Sequence, residues 1–194
     1  MNTDNQINEL KLLLIDSLNE TYHKDTHLYD NGLCERSKVF RIGLILSQKI
    51  MSNELYSDYS VDSEYNKRGS LDKIITGKKA QYPDLMLHKR GDNPDENLLV
   101  AEFKVSSTDL TENDFKNDVK KLEYLTCDNE YNYKLGAHVF LCPSGYIIKW
   151  YQSGKPESGF NIFFDTEKSK LEESDPKVLN NKFLKEYEKK KSNQ

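Results

Sequence analysis

The sequence has little cysteine, no long hydrophobic run and only a small excess of negative charge. Its three cysteines, Cys34, Cys127 and Cys142, are odd in number and lack C-x-x-C spacing, which argues against a disulfide framework and against a zinc site. No stretch approaches the roughly 20 apolar residues of a membrane span, and the first residues lack the apolar run of a signal peptide. We therefore expect a cytoplasmic protein with no membrane partner.

What is present is a highly charged chain with a modest share of apolar residues. Hydrophobic residues make up 36% and charged residues 31% of the 194 residues, which favours one α/β domain, residues 1–194, with charged helix surfaces. The histidines also lack the spacing of metal ligands: they are His23, His27, His88 and His138.

Hydrophobic periodicity predicts the helices. Apolar residues recur at helical spacing in residues 6–22, 35–51 and 110–126. A charged C-terminal helix is expected at about 177–191. We expect the first two helices on one side of a central mixed β-sheet and the helix at 110–126 on the other.

Alternation and turn residues predict further strands. Residues 59–65 alternate as a strand, and residues 137–141 and 146–150 are predicted to pair as a hairpin. Residues 160–164 are expected to form an edge strand. The polar residues 66–79 contain two glycines and are predicted to form a mobile loop.

The most informative segment runs from Tyr82 to Val105. Pro83-Asp84 opens one short apolar run, and Glu102-Phe103-Lys104 closes the next, with a polar linker between them that has hairpin composition. Because side chains alternate along a strand, Glu102 and Lys104 share one face, next to Asp84 of the paired strand. The alternative is that Glu102 and Lys104 form an ion-paired doublet on a half-exposed strand.

Two carboxylates on neighbouring strands indicate a site for a hard cation. Mg²⁺ is usually held by one or two carboxylates together with water and substrate phosphate. A lysine beside the ion can orient a water molecule and offset the charge that builds up on an attacked phosphate. The reaction indicated is metal-assisted phosphodiester hydrolysis, with Mg²⁺ as the cofactor and Mn²⁺ as its substitute.

These residues resemble the PD-(D/E)xK nuclease superfamily, and in particular its small stand-alone bacterial members. The resemblance covers residues 8–150 and rests on Glu35, Glu64-Tyr65-Asn66-Lys67, residues 83–91 and residues 97–104. It implies an α/β restriction-endonuclease-like core at about 30–151, with a mixed β-sheet flanked by α-helices in the order αβββαβ. It also implies a hydrolase that cleaves DNA.

The resemblance implies roles for individual residues. Asp84 and Glu102 would be metal ligands, the backbone carbonyl of Phe103 a third ligand, and Lys104 the amine that orients the water. Glu35 matches an acidic residue that many members place on the helix before the sheet, where it contacts the metal. Glu35 also fits a helix-start carboxylate, which the helix dipole favours near an N-terminus.

The net charge of −4 bears on DNA binding, because proteins that neutralise many phosphates are usually basic at least locally. Basic residues do occur in groups around the motif strands, although a solvated face is the more common role of any single one. The acidic balance elsewhere predicts modest, salt-sensitive affinity for DNA. The candidate phosphate contacts are Lys67, Arg68, Lys79 and Lys121.

Three functions stay open at this point. The first is a Mg²⁺-dependent DNA endonuclease or nickase, which the intact set of Asp84, Glu102 and Lys104 favours. The second is a retired nuclease fold that binds nucleic acid or protein, which the sequence pI of about 5.7 favours. The third is a nuclease subunit whose partner protein supplies specificity. Cutting both DNA strands with one site per chain requires a homodimer or two sequential nicks.

Overall fold

A computed structural model describes residues 3–30, 34–65, 67–68, 71–72, 74–75, 78–79, 82–105, 112–127, 130–143, 145–159 and 161–164. The chain divides into two compact units, Met1–Ile162 and Phe163–Gln194. The predicted core at about 30–151 lies in the first unit, whereas the helix predicted at about 177–191 lies outside the described residues. Within the described ranges, no helix has the length and apolar character to cross a membrane.

The helices predicted at 6–22, 35–51 and 110–126 are present in the described residues, whereas the short second helix was not predicted. The helices are α1 (Thr3–Lys24), α2 (His27–Asp30), α3 (Glu35–Met51) and α4 (Glu112–Thr126), with a short 3-10 turn at Pro94–Glu96. Buried residues follow helical spacing, for example Leu10, Leu14 and Leu18 on α1. The predicted helix at 35–51 coincides with α3, and the predicted helix at 110–126 is confirmed from Glu112 onward.

The strands form a mixed sheet, as predicted. The strands are β1 (Ser60–Asp62), β2 (Lys67–Arg68), β3 (Leu71–Asp72), β4 (Ile74–Ile75), β5 (Lys78–Lys79), β6 (Leu85–His88), β7 (Asn97–Val105), β8 (Leu135–Cys142), β9 (Gly145–Gln152), β10 (Lys155–Pro156) and β11 (Asn161–Phe164). Along the main path the strand order is β1-β6-β7-β8-β9-β10, in which β7 and β8 are parallel and the other neighbours are antiparallel. The hairpin predicted around Pro143 and the strand predicted at 160–164 are therefore present.

Two details differ from the prediction. The strand expected at 59–65 ends at Asp62, because Glu64 has a positive φ of 51° and its N–H donates to the carbonyl of Pro83 instead of continuing a ladder. The described residues of the loop expected at 66–79 form two antiparallel pairs, β2 with β3 and β4 with β5. The mobility of that segment stays a prediction.

The two faces of the sheet carry different helices, as predicted. On one face α3 packs so closely that a Cβ at Gly43 would lie 2.8 Å from Leu85 Cδ1, and Lys11 of α1 lies over the ring of Trp150. On the other face Leu122 and Leu125 of α4 pack in one apolar cluster with Met86, Val100, Tyr131, Tyr133 and Tyr151.

Strand register sets the position of the motif residues. Leu85 of β6 pairs with Ala101 of β7, so Asp84 lies just before β6 at the level of Glu102. In the parallel pair of β7 and β8, Glu102 is opposite His138 and Lys104 is opposite Phe140. The main elements follow the order α3-β1-β6-β7-α4-β8, with the short pairs β2–β5 inserted after β1.

Candidate active site

Asp84 and the strand residues 102–104 meet at one end of the sheet. Asp84 Oδ2 accepts a hydrogen bond of 2.7 Å from the backbone N–H of Phe103. This bond fixes the carboxylate against β7. Burial raises the pKa of Asp84, although that N–H and the nearby ammonium groups of Lys104 and Lys121 oppose the rise. The sequence prediction that the two motif strands bring Asp84 beside Glu102 and Lys104 agrees with this arrangement.

Glu102 is almost completely buried, with 1% of its surface exposed. Its Oε2 accepts a hydrogen bond of 2.7 Å from Lys121 Nζ on α4. Its Oε1 is buried and has no hydrogen-bond partner among the described residues. Burial, followed by the charge of Asp84, raises the pKa of Glu102 well above its usual range, while Lys121 acts in the opposite direction. One oxygen of this carboxyl group is therefore available for a ligand.

Lys104 is held on the same face of β7 but does not pair with Glu102. Its Nζ donates to the carbonyl of Phe103 at 3.0 Å and lies 2.7 Å from Oδ2 of Asp118 on α4. Burial disfavours the ammonium form, but the charge and hydrogen bond of Asp118, together with the charges of Glu35 and Asp84, outweigh burial and raise the pKa of Lys104. Lys104 thus keeps its charge in a position where it is mostly shielded from water.

Asp118 and His138 complete the buried polar network beside α4. Asp118 Oδ2 lies 3.7 Å from His138 Nε2, and the His138 ring lies 5.2 Å from the ring of Phe115. Burial lowers the pKa of His138, so its imidazole is neutral near neutral pH. Burial alone would raise the pKa of Asp118, but its contacts with His138 and Lys104 lower the pKa overall.

Glu35 approaches the same place from the opposite side of the sheet. It is the first residue of α3, as the helix-start interpretation required. It also lines a small surface cleft together with Asp84 and Ser63. Burial is the main cause that raises the pKa of Glu35. The charge of Lys104 lowers this pKa, and the charge of Asp84 raises it. Both interpretations of Glu35 are compatible with this position.

The site contains more acidic than basic groups. It brings four carboxyl groups and two ammonium groups together, so that two negative charges stay unbalanced when all are ionised: Glu35, Asp84, Glu102 and Asp118 against Lys104 and Lys121. No cluster of three or more His, Cys, Asp or Glu side chains placed to hold a metal ion occurs within the described ranges. Two carboxylates and a carbonyl still suit Mg²⁺, which keeps several water ligands. The unpartnered Glu102 Oε1 is suited to be one of these ligands.

The candidate DNA contacts fall in two different places. Lys121 points into the site, and only 13% of its side chain is exposed. Its Nζ contacts Glu102 Oε2, and it also contacts the carbonyl of Tyr82 at 3.3 Å. Burial opposes its charge, but Glu102 raises the pKa of Lys121. Lys67 is exposed on β2. Arg68 of β2 and Lys79 of β5 are described in their backbone only.

Sequence reasoning did not identify Asp118 or His138 as site residues. A signal for Asp118 existed, since Asp118 and Lys121 are i, i+3 neighbours on one helix face. His138 shares one face of β8 with Phe140, but its position opposite Glu102 follows from strand register.

No protein-family model, no curated protein and no solved structure matches the chain. The resemblance to the PD-(D/E)xK superfamily therefore rests on the motif residues and on their geometry.

Proposed function

We propose that the protein is a divalent-metal-dependent nuclease of the PD-(D/E)xK type, with a restriction-endonuclease-like core, that hydrolyses phosphodiester bonds in DNA. The observation that carries this proposal is the meeting of Asp84, Glu102 and Lys104 at one strand end, with Glu102 Oε1 buried and lacking a partner. The order of α3, β1, β6, β7, α4 and β8 supports the proposed core, because it follows the order that the resemblance implies.

The residues have distinct proposed roles. Asp84, Glu102 and the carbonyl of Phe103 hold Mg²⁺, or Mn²⁺ in its place, and Glu35 faces the cleft beside Asp84. A bound divalent ion supplies Lewis acidity, which favours ionisation of water and stabilises charge on phosphate. Lys104 is charged and fixed by two contacts, so its ammonium is positioned to stabilise negative charge that develops in the transition state.

DNA is the proposed substrate because a phosphate backbone supplies the anionic oxygens that such a site needs. Lys67, Arg68 and Lys79 are the proposed outer phosphate contacts, while Lys121 acts inside the site. With one site per chain, cleavage of both strands requires a homodimer, and cleavage of a single strand does not. A partner protein that supplies sequence specificity is compatible with either case.

A second candidate is a nuclease fold that binds nucleic acid or protein without cleaving. It is favoured by the two ion pairs, Lys104 with Asp118 and Lys121 with Glu102, which already neutralise part of the acidic charge in the site. Buried ion pairs can be retained because they specify how two elements pack, without any catalytic role. The two candidates differ in their need for a divalent metal.

The test is a metal titration of the purified protein with supercoiled plasmid and with single-stranded DNA. The proposal expects nicked or linear products with Mg²⁺ or Mn²⁺ but not with Ca²⁺, and no products from Asp84→Asn. Asp92→Asn, a change at an exposed position in the linker before β7, is the matched control and should cleave normally. Absence of cleavage and of metal binding in the wild-type protein, with DNA present, would favour the binding module.

A further inference from the structure

The lysine of the motif is not paired with the glutamate of the motif. Two ion pairs instead connect β7 to α4. Lys121 of α4 binds Glu102 of β7, and Asp118 of α4 binds Lys104 of β7, each with an N to O distance of 2.7 Å. Residues i, i+2 on a strand lie about as far apart as residues i, i+3 on a helix, so the two pairs form side by side.

These two ion pairs keep Lys104 away from Glu102. Without Lys121, Glu102 would be the nearest strand-mate carboxylate for Lys104, because both point to the α4 side. A direct pair between them would occupy the carboxylate and pull the ammonium toward it. With Lys121 on Oε2, the other oxygen of Glu102 stays without a partner, and Lys104 is directed to Asp118.

Asp118 is buried, and His138 packs beside it beyond hydrogen-bond distance. It has 9% of its side chain exposed, and His138, which is fully buried on β8, lies 3.7 Å from the oxygen that contacts Lys104. The Phe115 ring packs against His138 from the same helix. A carboxylate packed in this way restricts where the Lys104 ammonium can be, and the Phe103 carbonyl supplies the second contact.

We propose that Asp118, packed beside His138, is a positioning residue that fixes the Lys104 ammonium for the chemical step. The inference rests on the proposed nuclease function. Asp118 lies 2.7 Å from Lys104 Nζ, whereas its contact with Lys121 Nζ is longer, at 3.9 Å, so its effect on the rate passes mainly through Lys104. Residues that orient a reactive group from behind typically change activity by about 10–100-fold when substituted.

The test is a double-mutant cycle on the single-turnover rate of plasmid cleavage. Asp118→Asn should lower the rate roughly 10–100-fold, while the metal and DNA concentrations at half-saturation change less than about threefold. Lys104→Ala should lower the rate by about 10²–10³. Adding Asp118→Asn to Lys104→Ala should lower the rate little further, because Asp118 acts through the Lys104 ammonium, which this variant lacks.

Controls and opposing outcomes separate this inference from the proposed function. Asp114→Asn changes an exposed aspartate on the same helix and should leave the rate unchanged. If Asp118→Asn does not fold, Asp118→Glu, which keeps the charge and shifts it by one methylene, serves in the same cycle. Losses that multiply in the double variant, or wild-type cleavage by Asp118→Asn, overturn the inference while the nuclease proposal stands. A wild-type protein that neither binds metal nor cleaves overturns both.

Discussion

Adding Mg²⁺ or Mn²⁺ to the metal-free protein should raise its melting temperature. The ion would balance the two negative charges that are in excess when all four carboxyl groups are ionised, and would use the unpartnered oxygen of Glu102. A ligand that binds only the folded state stabilises it by about 2.7 kcal/mol at 100 times its Kd. Each kcal/mol shifts the melting temperature of a chain of this size by about 2–4 °C, so we expect a rise of about 5–11 °C at that concentration.

The size of this rise should increase with pH. Burial is the leading cause that raises the pKa of Glu102, Asp84 and Glu35. A carboxyl group with a raised pKa stabilises the fold fully below its unfolded pKa of about 4, and this contribution is lost as the pH rises through its folded pKa. The metal-free protein therefore becomes less stable as these groups ionise. A cation binds the ionised groups better, so its stabilising effect grows over the same range.

Calorimetric melts with and without metal, at several pH values between about 5 and 8, measure both effects. Asp84→Asn removes one charged ligand and should abolish most of the metal-dependent rise, whereas the exposed variant Asp92→Asn should keep it. The reasoning is refuted if metal produces no rise at any pH, or if Asp84→Asn responds as strongly as the wild type.

Three further substitutions test individual contacts in the site and in the core. Lys104→Ala should keep the metal-dependent rise in melting temperature while slowing cleavage by about 10²–10³, and a variant that cleaves at full rate contradicts its catalytic role. Glu35→Ala should weaken the metal-dependent rise in melting temperature without abolishing it, because Glu35 lines the cleft but is not one of the two carboxylates next to Phe103. Titration calorimetry measures the remaining metal binding. A loss of binding as complete as in Asp84→Asn would make Glu35 an essential ligand. Gly43→Ala should destabilise the fold by about 1–3 kcal/mol in urea melts, since the new Cβ would lie 2.8 Å from Leu85 Cδ1, and unchanged stability would show that Leu85 yields easily.

The part of the site that could be predicted depends on local geometry. Alternation along β7 places Glu102 and Lys104 on one face, and a hairpin connection brings Asp84 to the same level, so both features can be inferred from residues close in sequence. The start of α3 at Glu35 was likewise predicted from apolar periodicity. These features need no knowledge of distant pairing.

The rest depends on contacts between segments far apart in sequence. The position of His138 opposite Glu102 follows from the parallel register of β7 and β8, which a crossover helix connects and which no turn fixes. The partner of Lys104 depends on how α4 is rotated against the sheet, and sequence periodicity shows only which side of α4 is apolar. Lys121 could therefore be interpreted as an outer phosphate contact, although its Nζ points to Glu102.

The buried charges are easier to explain by chemistry than by stability. Taking an ion pair out of water is expensive, and well-packed apolar residues of similar volume are often neutral or stabilising replacements. Here two such pairs lie side by side under α4, and Glu102 keeps an unpartnered oxygen in addition. An unpartnered buried oxygen is a further cost that a purely structural network would be expected to avoid. A bound cation would remove this cost, which is why metal binding and the stability of this strand end should change together.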